Sequence, residues 1–205
     1  MFKPNLLFSI DVSGTPYKET IISCVSFNIK NSPQVLYEFN RKFKNYKNKK
    51  GKDLTHEKLK EILQFLDDNK IRSSCVYFTA NDWNYALSSV PKNKAYQKEK
   101  IFGILYYCVL ERNAKPRYPY IVHICEENFM HIDTVISSCR KIAKMRGYEF
   151  NISKSSGKND EYIRISDFVA AAVRKIKMID LQEYRYCSVI NKFRLNPLYI
   201  RKVFD

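Results

Sequence analysis

The chain has 205 residues, of which 36 are Lys or Arg and 21 are Asp or Glu, so its formal charge at pH 7 is +15. This length fits one α/β domain, and 45% hydrophobic residues supply enough material for a core, which excludes a disordered chain. The excess positive charge favours a polyanionic partner, and nucleic acid is the first candidate. The alternative is a general lysine bias that only keeps the protein soluble.

Six cysteines lie far apart with no CxxC pair, and most of them sit inside apolar runs. We expect buried free thiols and not zinc ligands or a disulfide frame, and hence no disulfide-linked partner. The first apolar run is too short for a signal peptide, and no apolar run reaches 18 residues. These features predict a cytoplasmic protein without a membrane partner, whereas the oligomeric state is left open.

The first part of the chain predicts a β-meander. Residues 6–10 form an apolar run that ends at Asp11, and residues 20–29 form a second β-rich segment after Gly-Thr-Pro turn signals. Residues 34–43 alternate apolar and polar side chains, which predicts a third antiparallel strand.

The rest of the chain predicts alternating helices and strands. Apolar residues at helical spacing predict helices, and short β-branched or aromatic runs predict strands. The predicted helices cover residues 55–66, 94–112, 132–146 and 162–176, and the predicted strands cover 73–80, 120–125 and 148–152. Together they predict a mixed α/β sheet, an antiparallel meander followed by βα units, with helices on its faces. The domain is predicted to span residues 1–178, with residues 179–205 as a helical tail packed on it.

Three acidic positions are candidates for a site. Asp11 ends the first strand, Glu126 or Glu127 ends a later one, and Asp167 lies in the Ala-rich helix. Polar residues at strand ends project into the crevice where α/β proteins bind ligands. The alternatives are a solvated strand end for the first two positions and a helix N-terminal acid for Asp167.

Two short motifs are similar to those of a known family. Residues 10–14 (IDVSG) and residues 163–170 (IRISDFVA) resemble the domain of unknown function family numbered 3800. Its ribonuclease-H-like pattern opens with a strand ending in IDESG and closes with a helix of the form (L/I)x(I/L)AD(L/F)(V/I)A. Between them, residues 49–51 (KKG) resemble its lysine-glycine segment, and the strand before Glu126 resembles the strand that carries its middle acid. The resemblance runs from residue 6 to about 176, but Val12 replaces the second acid of the first motif, and Glu126 stands where Asp is common.

The resemblance implies a metal-dependent nuclease that hydrolyses phosphodiester bonds of DNA or RNA. Asp11, Glu126 and Asp167 are then the ligands of one or two Mg²⁺ or Mn²⁺ ions, and Lys50 neutralises the phosphate. The departure at Val12 keeps a second hypothesis open, a catalytically inactive ribonuclease-H-like module that binds nucleic acid. A third hypothesis is an interaction protein with an acidic protein partner.

A basic run precedes the first predicted helix. Seven of the twelve residues from 41 to 52 are basic and none is acidic, with Phe43 and Tyr46 between them. Such a run can follow a nucleic-acid backbone and stack on exposed bases, although a solvated loop is the alternative. The predicted nucleic-acid-binding residues are Arg41, Lys42, Lys44, Lys47, Lys49, Lys50 and Lys52. For His123, inside an apolar strand, a core or surface role is favoured over a site role.

Overall fold

The structure, a computed structural model, describes residues 4–191 and 194–205. Its strands are β1 (Leu6–Thr15), β2 (Glu19–Asn28), β3 (Arg72–Phe78), β4 (Pro119–Cys125), β5 (Glu149–Ser155) and β6 (Cys187–Ile190). They form one sheet in the order β5-β4-β1-β2-β3-β6. The β1–β2 and β2–β3 pairs are antiparallel, whereas β4 on β1, β5 on β4 and β6 on β3 are parallel.

Helices cover both faces of this sheet. They are α1 (Ser32–Lys42), α2 (His56–Asp68), α3 (Ala80–Ser88), α4 (Gln97–Glu111), α5 (Ile132–Met145), α6 (Glu161–Lys175), α7 (Met178–Leu181) and α8 (Pro197–Phe204). Alternate residues of β1 point to opposite faces, so that Phe8 belongs to the core beneath α4 and α5, and Leu7 to the core beneath α2 and α6. The architecture is a mixed sheet between two helical layers, as the sequence predicted.

The predicted strand over residues 34–43 is wrong, because this segment is helix α1. Pro33 sits in the first turn, where a missing N–H costs nothing. Phe39 and Phe43 are one helical turn apart, with ring centroids 4.8 Å from each other, and both pack on Phe65. Residue Tyr37, which the alternating pattern would bury, is 67% exposed. The third antiparallel strand is β3.

The predicted helical tail over residues 179–205 also needs correction. Its four-residue segment β6 pairs in parallel with β3 and forms the edge of the sheet, because short β-branched runs pack well beside a strand. Helix α8 then packs against α4 and α5, so the end of the chain contributes to the same fold. Helix α3, which the sequence did not predict, is capped by Thr79, whose hydroxyl accepts a hydrogen bond from the Asp82 N–H.

The apolar runs of the sequence are core segments. All six cysteines are free thiols; Cys24, Cys75, Cys125 and Cys139 are buried and the other two are half-buried. Within residues 4–191 and 194–205, no helix has the length and apolar character needed to cross a membrane.

Helices α4 and α5 approach closely at Gly103. A Cβ at this position would lie 2.4 Å from the Cβ of Ser138 and 2.7 Å from the carbonyl oxygen of Val135. We expect Gly103→Ala to lower the free energy of unfolding by about 1–3 kcal/mol, because overpacking outweighs the better helix propensity of Ala. Urea denaturation measures this change. An unchanged or higher free energy of unfolding would show that the two helices pack less closely.

Candidate active site

The site lies at one edge of the sheet. Strands β1 and β4 run in parallel, with Ile10 paired to Ile124, so the carboxyl end of β4 lies beside Asp11. Asp11 does not end the first strand as predicted, because β1 continues to Thr15 through its pairing with β2. Helix α6 crosses the face of β1 and β2 closely because the facing side chains are serines. The hydroxyls of Ser9 and Ser166 are hydrogen-bonded, and the Ser23 hydroxyl donates to the Ser166 carbonyl at 2.7 Å. This contact places Asp167, the next residue of α6, beside Asp11 at the end of the apolar part of β1.

Asp11 is buried, with 5% of its surface exposed. Its Oδ1 accepts hydrogen bonds from the Val12 N–H at 2.8 Å and from Asn128 Nδ2 at 2.7 Å. Burial, and then the neighbouring charge of Asp167, raise the pKa of Asp11 to about 7. The carboxyl is therefore poised to ionise fully when a cation approaches.

Asp167 is held by the backbone of a second segment. Its Oδ2 accepts a hydrogen bond of 2.7 Å from the Gly51 N–H, which opens the short 3₁₀ turn Gly51–Asp53. Burial raises the pKa of Asp167, while this hydrogen bond opposes the rise. A Cβ on Gly51 would lie 2.6 Å from the Cβ of Ala171 and 2.7 Å from the Asp167 carbonyl oxygen, so only glycine permits this approach.

Lys50 lines the same cleft as the two carboxylates. Its positive charge partly offsets the rise in the pKa of both Asp11 and Asp167. Its Nζ lies 3.8 Å from Glu127 Oε2, and the Ser156 hydroxyl donates to the other oxygen of that carboxylate at 3.0 Å. Both side chains of the ion pair are a little under half exposed, so a phosphate can replace Glu127 beside Lys50 at little cost.

A cleft of about 400 Å³ contains both carboxylates. Five cationic side chains and two acidic side chains line this cleft. The cations are Lys47, Lys49, Lys50, Lys158 and Arg164. This excess of positive charge favours a polyanion over a neutral ligand.

The structure brings together three of the four predicted catalytic residues: Asp11, Asp167 and Lys50 line the same cleft. Glu126 is exposed and does not line it. Among the described residues, no group of three or more His, Cys, Asp and Glu side chains could hold a metal ion, so the predicted three-acid cluster is not formed.

The reason for this difference is the turn that follows β4. The chain enters a 3₁₀ turn, Glu126–Asn128, which leaves Glu126 in solvent and directs Glu127 to Lys50. The third residue of the turn, Asn128, is the one that reaches Asp11. The sequence placed polar residues at this strand end, but it could not decide among them without the geometry of the turn.

Only the end of the predicted basic run reaches the cleft. Lys47, Lys49 and Lys50 line it, whereas Arg41 and Lys42 lie in the last turn of α1. Phe43 is buried against Phe39 and Phe65 and is therefore not available to stack on a base. Lys44 begins a 3₁₀ turn, and the Lys52 carbonyl accepts a hydrogen bond from Lys175 Nζ.

His123 has a structural partner, in line with the role favoured from the sequence. Its Nδ1 lies 2.7 Å from Asp160 Oδ2. Asp160 caps α6 by accepting from the Tyr162 N–H at 2.9 Å, and Ser155 also donates to it. The pair fixes the start of the helix that carries Asp167.

The oxygen atoms of the cleft fit a hard divalent cation. Hydrogen bonds occupy Asp11 Oδ1 and Asp167 Oδ2, and no described group donates to the second oxygen of either carboxylate. Burial raises the pKa of both groups, and the hydrogen bonds and Lys50 only partly oppose this rise. Mg²⁺ is often held by one or two carboxylates, with water and substrate phosphates completing its shell. The residues present therefore fit one Mg²⁺ or Mn²⁺ ion.

The sheet, with an acid on its first strand and a second on a helix crossing it, defines a ribonuclease-H-like fold. No protein-family model and no curated protein matches the chain. Ribonuclease H2 from Pyrococcus horikoshii OT3 is similar, with a TM-score of 0.56 and 14% identity over 87% of this chain and 76% of that one. Ribonuclease HII from Archaeoglobus fulgidus, in complex with PCNA, has a TM-score of 0.53 and 11% identity over 87% and 75%. A mutant protein of Bst-RNase HIII has a TM-score of 0.52 and 12% identity over 88% and 55%. These likenesses show the fold, and the predicted fold class is confirmed.

Proposed function

We propose that this protein is a metal-dependent nuclease that hydrolyses phosphodiester bonds of DNA or RNA. One observation carries the proposal: two carboxylates with raised pKa share a cleft with five cationic side chains. The carboxylates suit a divalent cation, and the cationic lining suits the phosphates of a nucleic acid. The ribonuclease-H-like fold supports the proposal.

The two carboxylates and the groups that contact them have the main roles in this proposal. Asp11 and Asp167 hold Mg²⁺ or Mn²⁺, and Asn128 orients the Asp11 carboxylate through its hydrogen bond. A bound ion supplies Lewis acidity towards the phosphodiester and lowers the pKa of water. Lys50 leaves Glu127 and neutralises the phosphate of the substrate. The Gly51 N–H keeps Asp167 turned to the cleft.

Membership of the domain of unknown function family 3800 is part of the same proposal. The two motifs that carry the resemblance contribute Asp11 and Asp167, and the lysine-glycine segment contributes Lys50. All three side chains line one cleft, which supports a common role for the motifs.

A cleavage assay tests the proposed function. Labelled single-stranded, duplex and hybrid DNA and RNA substrates are incubated with the protein in Mg²⁺, in Mn²⁺ or in EDTA. We expect cleavage in at least one of the metals and none in EDTA. Absence of cleavage of every substrate in both metals would contradict the nuclease proposal.

A second candidate is the catalytically inactive nucleic-acid-binding module. It is favoured by Val12 and by the exposed position of Glu126, which leave two carboxylates in the cleft. Binding of nucleic acid without cleavage in any metal is its signature. A rise in melting temperature with Mg²⁺ would contradict the loss of the metal site, because Mg²⁺ stabilises the folded protein only by binding to it.

Neutralising the end of the basic run is expected to weaken nucleic-acid binding. We predict that replacing Lys47, Lys49, Lys50 and Lys52 with Gln lowers the affinity for a single strand and flattens its salt dependence. The slope of log K against log salt should fall by about 2, at roughly 0.7 for each of three lost phosphate contacts. Binding titrations between low and moderate salt measure this slope.

A control with the same charge change separates this effect from net charge. Gln is placed at four exposed lysines outside the cleft, namely Lys18, Lys30, Lys92 and Lys144. The slope of log K against log salt should change much less in this control variant. Equal slopes in the two variants would place the phosphate contacts elsewhere on the surface.

A further inference from the structure

Arg164 is a buried cation of the cleft that the proposed cleavage does not use. It lies in α6 one turn before Asp167, is 8% exposed and lines the cleft. Its Nη1 donates to the Lys47 carbonyl at 3.2 Å, and its Nη2 donates to Asn40 Oδ1. Its Nε is buried and has no hydrogen-bond partner among the described residues.

The charge of Arg164 is only partly compensated. The carboxylate near it is that of Glu161, at 3.7 Å and partly exposed to solvent. Burying a guanidinium and leaving one of its N–H groups unpaired both cost free energy. Phosphate oxygens match the guanidinium fork, so a phosphate entering the cleft would supply the charge compensation that Glu161 gives only in part.

The position of Arg164 in the cleft separates it from the reacting phosphate. Three residues of α-helix place it about 4.5 Å along the helix axis from Asp167. Lys158 lines the same cleft, and Lys47 is tethered to Arg164 through its carbonyl. A single phosphate at Lys50 would leave this group of cations without a partner.

We propose that Arg164, with Lys47 and Lys158, forms a second phosphate subsite that binds the phosphodiester next to the one cleaved. The substrate is then a strand that places at least two successive phosphates in the cleft. This inference rests on the proposed function in that it takes Asp11 and Asp167 as the centre of cleavage. The subsite itself binds phosphate without metal and without turnover.

The test compares ligands with one and two phosphates in EDTA at constant ionic strength. The ligands are a thymidine dinucleotide with a 5′-phosphate, the same dinucleotide without it, and inorganic phosphate. Isothermal titration calorimetry with the full chain should show the 5′-phosphorylated dinucleotide binding about tenfold more tightly than the unphosphorylated one, the gain from one charge-assisted contact. Arg164→Gln should remove this gain, whereas Lys144→Gln, an exposed substitution outside the cleft, should retain it.

Three results would overturn the subsite. The first is equal affinity of the wild type for the two dinucleotides. The second is a gain in affinity from the 5′-phosphate that persists in Arg164→Gln. The third is binding of inorganic phosphate that depends on Arg164 while the 5′-phosphate of the dinucleotide adds no affinity. The last would assign the cations to free phosphate and not to a strand.

Because Arg164 also holds the Lys47 carbonyl, a folding control accompanies the test. Thermal melting checks that Arg164→Gln is folded, and Lys158→Gln repeats the comparison at an exposed side chain. If Arg164→Gln does not fold, the proposal is overturned when Lys158→Gln keeps the full gain in affinity from the 5′-phosphate. The nuclease proposal and the subsite proposal can be contradicted separately. A protein that binds the 5′-phosphorylated dinucleotide more tightly in EDTA but never cleaves contradicts only the nuclease proposal.

Discussion

Asp11→Asn is expected to abolish metal-dependent cleavage while the fold stays intact. The amide is isosteric with the carboxylate and keeps an oxygen for the hydrogen bonds from Val12 and Asn128, but it lacks the charge that a divalent cation needs. Loss of an outer partner of a metal ligand typically costs 10- to 100-fold, so loss of the ligand itself should cost more than about 100-fold in kcat/KM. Asp167→Asn should have a comparable effect. Single-turnover cleavage and circular dichroism measure activity and folding in the same preparations.

Glu126→Gln is the matched control for this prediction. It makes the same acid-to-amide change at a residue that the sequence predicted as a ligand and that the structure places in solvent outside the cleft. We expect its cleavage rate to remain within about twofold of the wild type, since exposed substitutions away from a site have small effects. If Glu126→Gln abolishes cleavage and Asp167→Asn does not, the residues assigned to the site from the cleft are wrong.

The parts of the fold that local patterns specify could be predicted. Short apolar runs identified β1 and β4, and helical spacing identified α5, which ends at Met145, one residue before its predicted end. The segment of α1 was ambiguous, because Val35, Phe39 and Phe43 fit a helix while Val35, Tyr37 and Phe39 fit a strand. Packing on a distant partner, Phe65, decides between the two periods. Local sequence does not contain that information.

The same limit applies to the candidate site. Asp11 and Asp167 could be predicted because the end of an apolar run and a small-residue helix face are visible in the sequence, although Asp11 lies inside β1 and not at its end. Asn128 could not, since its contact with Asp11 depends on the 3₁₀ turn after β4. Arg164 is one helical turn from Asp167, but its burial depends on the Lys47 and Asn40 contacts from other segments. Residues whose role comes from tertiary contacts were therefore the ones that the sequence missed.

The binding of Mg²⁺ is expected to depend steeply on pH through the ionisation of Asp11. The pKa of this group is raised from 3.8 to about 7 in the folded protein, whereas the unfolded chain ionises near the ordinary value. Without metal, protonation of Asp11 stabilises the folded protein by on the order of 4 kcal/mol at pH values below 3.8. This stabilisation decreases as the pH rises and is lost above pH 7. Mg²⁺ requires the ionised carboxylate, so the metal reverses this loss above pH 7.

Below pH 7 the apparent affinity for Mg²⁺ should therefore fall about tenfold per pH unit, because the metal must displace one proton. Melting temperatures with and without Mg²⁺, measured from about pH 5.5 to 8.5, report this affinity without any turnover. Asp11→Asn should show no pH-dependent gain from Mg²⁺, and Glu126→Gln should behave as the wild type. In Asp167→Asn a ligand is lost, so the gain from Mg²⁺ should be smaller. The like charge beside Asp11 is absent too, which lowers the pKa of Asp11 and moves the remaining transition to lower pH. A gain from Mg²⁺ that is constant across this pH range in the wild type would mean that Asp11 does not bind the ion.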